Sequence, residues 1–311
     1  MKCLVTGGAG FIGSNLVDCL IDQGHDVTVI DNESSDSNEQ FYWNDKSNNY
    51  KYNICDYVMS SDVFKRHKPD VVFHLAAEAR IQPSIIDPLK AIETNIVGTA
   101  TILQLSRKYN VKRFIYSSTS SAYGLKNNIP LKEDMPNDCL NPYSVSKTAG
   151  EELCKMYTKL YGIQTIIFRY FNVYGERQPL KGQYAPVVGI FQRQKNASES
   201  MTIVGDGEQR RDFTHVSDVV SANIMAATKE FDEWQVNGSE NKIYQYGQIY
   251  NVGTGTNYSI NQVAEMVGGP TTNISSRSGE SRITLANISK IQREIGWSPK
   301  IKLEDWLKKN N

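Results

Sequence analysis

Apolar positions along the chain change period several times, and the changes divide it into alternating short strands and longer helices. Cys3-Leu4-Val5-Thr6 is a short apolar run closed by glycines. From Phe11 to Gln23 the residues Ile12, Leu16, Cys19 and Leu20 recur at helical spacing, and Gly24 follows as a stop. Asp26 to Asp31 reads as a second strand, completing a strand–helix–strand unit of about 30 residues. The alternation continues with strands over 71–77, 113–118 and 164–171 and helices over 95–109 and 143–161. It predicts a parallel sheet covered on both faces, a Rossmann-type doubly wound α/β fold. Beyond Phe171 the regularity weakens. Residues 174–186 are rich in Gly, Pro, Gln and Tyr, 232–248 is polar, and 283–297 and 303–309 read as helical. The expected division is a Rossmann-type domain over 1–171 and a smaller, mostly C-terminal α/β lobe over 172–311. Segments near 212–231 and 249–255 are expected to return to the first domain.

Composition narrows the function classes. The 311 residues carry 34 Lys+Arg against 34 Asp+Glu, so no basic excess exists to hold nucleic acid or an anionic membrane. Five cysteines without a CxxC spacing predict reduced thiols and a cytoplasmic location. The first strand starts at Lys2, so no signal peptide is expected, and no apolar run has bilayer length. His25, His67, His74 and His215 lack paired ligand spacing, so no metal is expected.

Gly7-Gly8-Ala9-Gly10-Phe11-Ile12-Gly13 lies between the first strand and the first helix. Missing side chains let the backbone approach a pyrophosphate, which then faces the free N–H groups of the helix. Asp31 ends the second strand, where a carboxylate binds ribose hydroxyls and repels a 2′-phosphate. The expected cofactor is therefore NAD. Asp56 reads either as a group capping the adenine side or as an ordinary loop residue.

Asn141 and Pro142 mark a helix start, which puts Tyr143 and Lys147 one turn apart on one face. An ammonium near a phenol favours the phenolate, giving a general base near neutral pH. The hydroxyl cluster from Ser117 to Ser121 follows a buried strand, where parallel sheets bind ligands.

The segments Thr6–Gly13, His74–Ala77, Ser117–Gly124, Pro142–Lys147, Arg169–Gly175, Gly205–Asp218 and Tyr250–Gly255 together resemble the extended short-chain dehydrogenase/reductase superfamily, and within it the nucleotide-sugar 4-epimerases. The resemblance covers essentially the whole chain. It implies Tyr143 as base, Lys147 as its pKa-lowering partner and ribose ligand, and Thr119 as a hydroxyl on the sugar oxygen. It also implies NAD contacts from Gly7, Gly10, Phe11, Ile12, Gly13, Asp31, Asn32, Ile54, Asp56, Leu75, Ala76, Ala77, Asn95, Ser117, Tyr143, Lys147 and Tyr170. In the implied reaction the sugar 4-hydroxyl is oxidised, the 4-keto sugar turns over, and reduction from the other face gives the epimer. Dimerisation is expected from the family, through helices near 96–109 and 147–161.

The 4,6-dehydratases place Asp-Glu after the catalytic Thr, and glucuronate decarboxylases usually place a Glu there. Ser120 and Ser121 stand at those places, which favours epimerisation over both. Arg211 and Arg277 match the family's diphosphate arginines, and Asn172 its nearby Asn. Thr284 falls where a residue controls room beside the sugar C2, and its small size admits an N-acetyl group. With Ser120, Ser121, Tyr184 and Ala185 it points to UDP-GlcNAc/UDP-GalNAc, with UDP-Glc/UDP-Gal also accepted. Arg80 keeps open a uronate carboxylate, hence a UDP-glucuronate 4-epimerase, or else simply lines the cleft. A non-catalytic NAD-sensing regulator is disfavoured by the intact Thr119, Tyr143 and Lys147.

Overall fold

The computed structural model describes the chain except residues 36, 37, 39, 181–184, 232–233, 236–241, 244–245, 277–280 and 311. Its centre is a seven-stranded parallel sheet: β1 (Lys2–Thr6), β2 (Asp26–Ile30), β3 (Asn48–Tyr50), β4 (Val71–His74), β5 (Arg113–Thr119), β6 (Gln164–Tyr170) and β7 (Gln248–Val252). The order is β7-β6-β5-β4-β1-β2-β3, with every neighbouring pair parallel. The chain winds outward from β1 through β3, then returns to β4 and winds the other way. This is the doubly wound arrangement predicted from the alternation, and its switch point lies between β1 and β4.

Strand periodicity separates two cores. Cys3, Val5, Phe73, Ile115, Ile166 and Phe168 face the helices Phe11–Asp22 and Val216–Thr228, together with Ile291, Ile295 and Trp297. Leu4, Val72, Phe114, Tyr116 and Ile167 face the other way, onto Val63, Phe64, Ile102, Leu103 and Cys154. Alternate side chains of one strand thus serve opposite faces.

A third core lies beyond the sheet's carboxyl ends. Val188 and Phe191 of the Val187–Asn196 helix pack with Val263 and Val267 of the Ile260–Val267 helix and with Leu303 and Leu307 near the C-terminus. Met201–Val204 pairs in parallel with Thr271–Ile274 beside them.

Two elements differ from the sequence reading. The helix expected over 283–297 is confined to Ser289–Glu294. Before it the chain is extended, with Ile283 bridged to Arg210 and Ala286 to Leu131. Backbone partners on two neighbouring segments satisfy groups that a helix would otherwise pair internally. The helix expected from Asn95 starts at Pro88 and contains a π-helical turn, Glu93–Gly98.

Candidate active site

A cavity of about 850 Å³ runs across the carboxyl ends of the strands, lined by the glycine turn on one side and by Val187, Phe213 and Ile260 on the other. Gly7 has φ +70°, and a Cβ there would stand 2.7 Å from the Ala76 nitrogen. A Cβ on Gly13 would stand 2.1 Å from the Gly7 carbonyl oxygen. Glycine is thus demanded by backbone conformation at one position and by backbone packing at the other. The Phe11–Asp22 helix starts here with no side-chain cap and no acidic residue in its first turn. Its amide donors and positive end remain open to an anion.

Asp31 follows β2 and is buried. Its carboxylate accepts from the Ala9 N–H at 3.0 Å and the Glu33 N–H at 2.8 Å. Burial pushes the carboxyl upward and these amides oppose the shift. Asn32, Ile54, Leu75, Ala76, Ala77, Ser117 and Tyr170 line the same end, with Gly10, Phe11 and Ile12. The glycine cradle, the open helix terminus and the carboxylate fit a pyrophosphate carrying a ribose.

Two expected dinucleotide contacts lie off the cavity wall. Asp56 caps the Tyr57–His67 helix, accepting from the Met59 N–H at 3.0 Å. Asn95 is fully buried in the π turn, where it holds the Glu78 backbone through both N–H (2.8 Å) and C=O (3.0 Å) and donates to Ser146 Oγ at 2.9 Å. It shapes the segment after Ala77 instead of facing the cavity.

Thr119 ends β5, and Tyr143 opens the Pro142–Tyr161 helix. Asn141 and Ser144 form a reciprocal capping box with Pro142 at the start, which fixes the first turn. The Tyr143 N–H donates to Ser84 Oγ at 3.0 Å, and the Thr119 hydroxyl lies close enough to the phenol to favour its ionised form. Ser84 was not read from the sequence, since its role depends on packing between distant helices. Lys147 lies one turn on, 3% exposed. Burial pushes the Tyr143 phenol above its ordinary value, and the neighbouring Thr119 hydroxyl opposes it. Burial also lowers Lys147 to about 8. In the protein alone desolvation thus sets the direction for both groups.

Behind these groups lies an ion pair that is fully buried on both sides. Arg169 Nε and Nη2 donate to Glu151 at 2.8 and 2.7 Å. Ser118 Oγ donates to the same carboxylate at 2.5 Å, and Arg169 lies 4.5 Å from the Tyr123 ring centroid. The network ties the strand end before Thr119 to the helix carrying Tyr143. Its signal in the sequence, a Glu two turns beyond Tyr143, is indistinguishable from a solvated helix charge.

Ser120, Ser121, Arg80, Asn172, Ala185, Arg211 and Thr284 all line the cavity. Arg211 Nη1 donates to the Arg210 and Arg282 carbonyls at 3.0 and 3.2 Å. Asn172 donates to the Asp212 carbonyl at 3.1 Å. Tyr184 and Arg277 lie outside the described residues. Val204, Phe213 and Ile260 add apolar surface to the same cavity, which sequence reasoning missed because an apolar residue there only says core. No group of three or more potential metal ligands occurs among the described residues.

The family model described as GDP-mannose 4,6 dehydratase matches residues 4–310. A putative UDP-glucose 4-epimerase of Methanocaldococcus jannaschii is 36% identical over 99% of this chain and 99% of its own. The UDP-glucose 4-epimerase of Thermotoga maritima, solved with UDP-glucose, is 36% identical, with a TM-score of 0.89 over 99% of this chain and 96% of that one. The Thermus thermophilus UDP-glucose 4-epimerase, solved with NAD, is 29% identical, with a TM-score of 0.87 over 99% and 96%. With the glycine cradle, Asp31, Thr119, Tyr143 and Lys147 gathered in one cavity, the chain belongs to this extended short-chain dehydrogenase/reductase family and to its NAD-dependent nucleotide-sugar epimerases.

Proposed function

We propose that the protein is a UDP-sugar 4-epimerase acting on UDP-GlcNAc/UDP-GalNAc and also accepting UDP-Glc/UDP-Gal. In this reading the Rossmann-type domain, 1–171 with 212–231 and 249–255 returning to it, is the NAD-binding domain, and the rest of 172–311 is the substrate-binding lobe that closes over the sugar-handling Thr119 and Tyr143. One observation carries it: Thr119, Tyr143 and Lys147 line the same cavity as the glycine turn, while Ser120 and Ser121 stand where a dehydratase needs carboxylates. NAD, which the glycine turn and Asp31 would hold, would supply the hydride acceptor and donor for the sugar C4. Tyr143 removes the 4-hydroxyl proton and gives it back to the 4-keto oxygen. Thr119 holds that oxygen, and Lys147 stabilises the phenolate. Arg211 meets the diphosphate. Thr284, buried at the cavity wall, leaves room beside the sugar C2 for an N-acetyl group.

A second reading, UDP-glucuronate 4-epimerisation, is favoured by Arg80, a cation on the same wall. Incubation with UDP-GlcNAc, UDP-Glc and UDP-GlcA in turn, without added reductant, separates the two by NMR of the anomeric signals. The first reading predicts C4 epimers from the first two sugars, and turnover of UDP-GlcA alone assigns the second.

The working form in this proposal is a cytoplasmic homodimer. The five cysteines are free. Leu89 and Val97, 75% and 50% exposed, and Val145 and Leu160, 50% and 62% exposed, give the helices at 88–108 and 142–161 an apolar outer face. No described helix is long and apolar enough to cross a membrane.

A further inference from the structure

Lys147 presents a problem that its proposed role does not solve. Its ammonium is almost fully buried, and among the described residues it makes no ion pair. Glu151 on the next turn is already held by Arg169 and Ser118. A buried charge without such a partner tends to shed its proton, and a neutral amine is of little use beside a phenolate.

The Tyr116 ring fills the gap. It lies on β5 directly beneath the lysine, with Nζ 4.4 Å from the ring centroid. The Tyr116 hydroxyl donates to the Lys147 carbonyl at 3.2 Å, so ring and lysine backbone are fixed to each other. The helix is cut away to admit the phenol: a Cβ on Gly150 would stand 2.1 Å from the Tyr116 hydroxyl oxygen. Beneath, the ring stacks on His74 with centroids 5.9 Å apart and planes 19° from parallel. His74 is clamped by Thr6 Oγ1 at 2.8 Å and Thr99 Oγ1 at 3.0 Å. The column leaves the ring no freedom to turn away from the ammonium.

We propose that Tyr116 is a positioning residue for Lys147: its ring face takes the place of a counterion, keeping the lysine charged and aimed into the cavity. An aromatic face attracts a cation most strongly where water is excluded. The inference rests on the epimerase reading only for what the charge accomplishes. Other titratable groups around Lys147 are His74 on β4, Arg169 behind Glu151 on β6, and Tyr143, Glu151 and Cys154 on its own helix. The helical stretch packed alongside presents the uncharged Asn95 to Ser146. His74 stays neutral, its pKa lowered to about 3 by burial and by the nearby lysine. Burial places Cys154 well above the thiol range. Neither competes for the role.

Graded fluorination tests the idea without opening the core. Tyr116 is replaced by phenylalanine, then by 4-fluoro- and 3,4,5-trifluorophenylalanine, which drain electron density from the ring face while nearly keeping its shape. The Lys147 pKa is read from the ¹³Cε shift in protein labelled with ¹³C-lysine and loaded with NAD, assigned by Lys147→Arg. Tyr116→Phe should leave it within a few tenths of a unit of wild type. Each fluorination step should then lower it, by about one unit across the series. The alkaline limb of the epimerase pH profile should move down with it, since the active form is lost as pH rises through this pKa. A Lys147 pKa that does not fall across the fluorinated set overturns the proposal. If the pKa falls while the activity limb stays put, the role of Tyr116 holds and Lys147's part in the chemistry is refuted.

Discussion

At the scale of single residues, the chemistry turns on what burial does to a few polar groups. Burial pushes the Tyr143 phenol upward in the protein alone, and the proposed mechanism relies on Lys147 to bring it down. Tyr143→Phe removes the proton acceptor and keeps the ring. We expect kcat to fall by about 10²- to 10⁴-fold while NAD still co-elutes with the protein on gel filtration. Near-wild-type turnover would remove Tyr143 from the mechanism. His74 offers a test of burial itself. Its folded pKa is about 3 against 6.5 for the free side chain. Between those values the unfolded chain binds the extra proton, so this contribution is intact above pH 6.5 and is lost as pH falls toward 3. At pH 4.5 the loss should be about 2 kcal/mol in urea unfolding relative to pH 7, and His74→Asn should flatten the slope. Equal slopes in the two proteins would show that His74 does not titrate this way. Tyr143 and Lys147 were legible in the sequence because one helical turn fixes their spacing whatever the rest of the chain does. The structural uses of Asp56 and Asn95 were not. Their side chains are used by a helix cap and by the Glu78 backbone, partners that only the assembled fold supplies.

Among the elements, the glycine turn was the most legible, since its residues are set by a backbone requirement that few other residues meet. Gly13→Ala puts a methyl into the Gly7 carbonyl oxygen, 2.1 Å away. Backbone cannot yield as a side-chain tip does. We expect NAD to be lost on purification and the thermal midpoint to fall by several degrees, measured by nucleotide content and calorimetry. A variant that keeps stoichiometric NAD would mean the turn deforms freely. The π turn at Glu93–Gly98 and the shortened helix at Ser289–Glu294 escaped the sequence reading for one reason. Both depend on hydrogen bonds to distant segments, and periodicity carries no information about those. β3 was also unread, because Asn48–Tyr50 is an edge strand with only Tyr50 partly buried and so lacks an apolar pattern.

For the whole molecule, alternation of strands and helices was enough to give a doubly wound parallel sheet; its strand order and switch point came from the assembled fold, and the cavity opens at the strand ends beside that point. The far wall was less legible, because it is built from short pieces such as Met201–Val204 and Thr271–Ile274 that pair across the lobe. The proposed dimer belongs to this scale. Leu89→Glu places a charge in the exposed apolar face and should convert a dimer of about 70 kDa, twice the 35.0 kDa chain, into monomer by light scattering. An unchanged mass would move the interface elsewhere. The central claim is that one cavity removes a hydride from the sugar C4 and restores it within a single turnover. The most direct measurement follows UDP-[4-²H]glucose, a sugar the proposed cavity also accepts, to its epimer in the presence of excess unlabelled NADH. Deuterium retained at C4 of UDP-galactose, with no net change in NADH, is the predicted result. Loss of the label to the NADH pool, or a 4-keto-6-deoxy product, would contradict it.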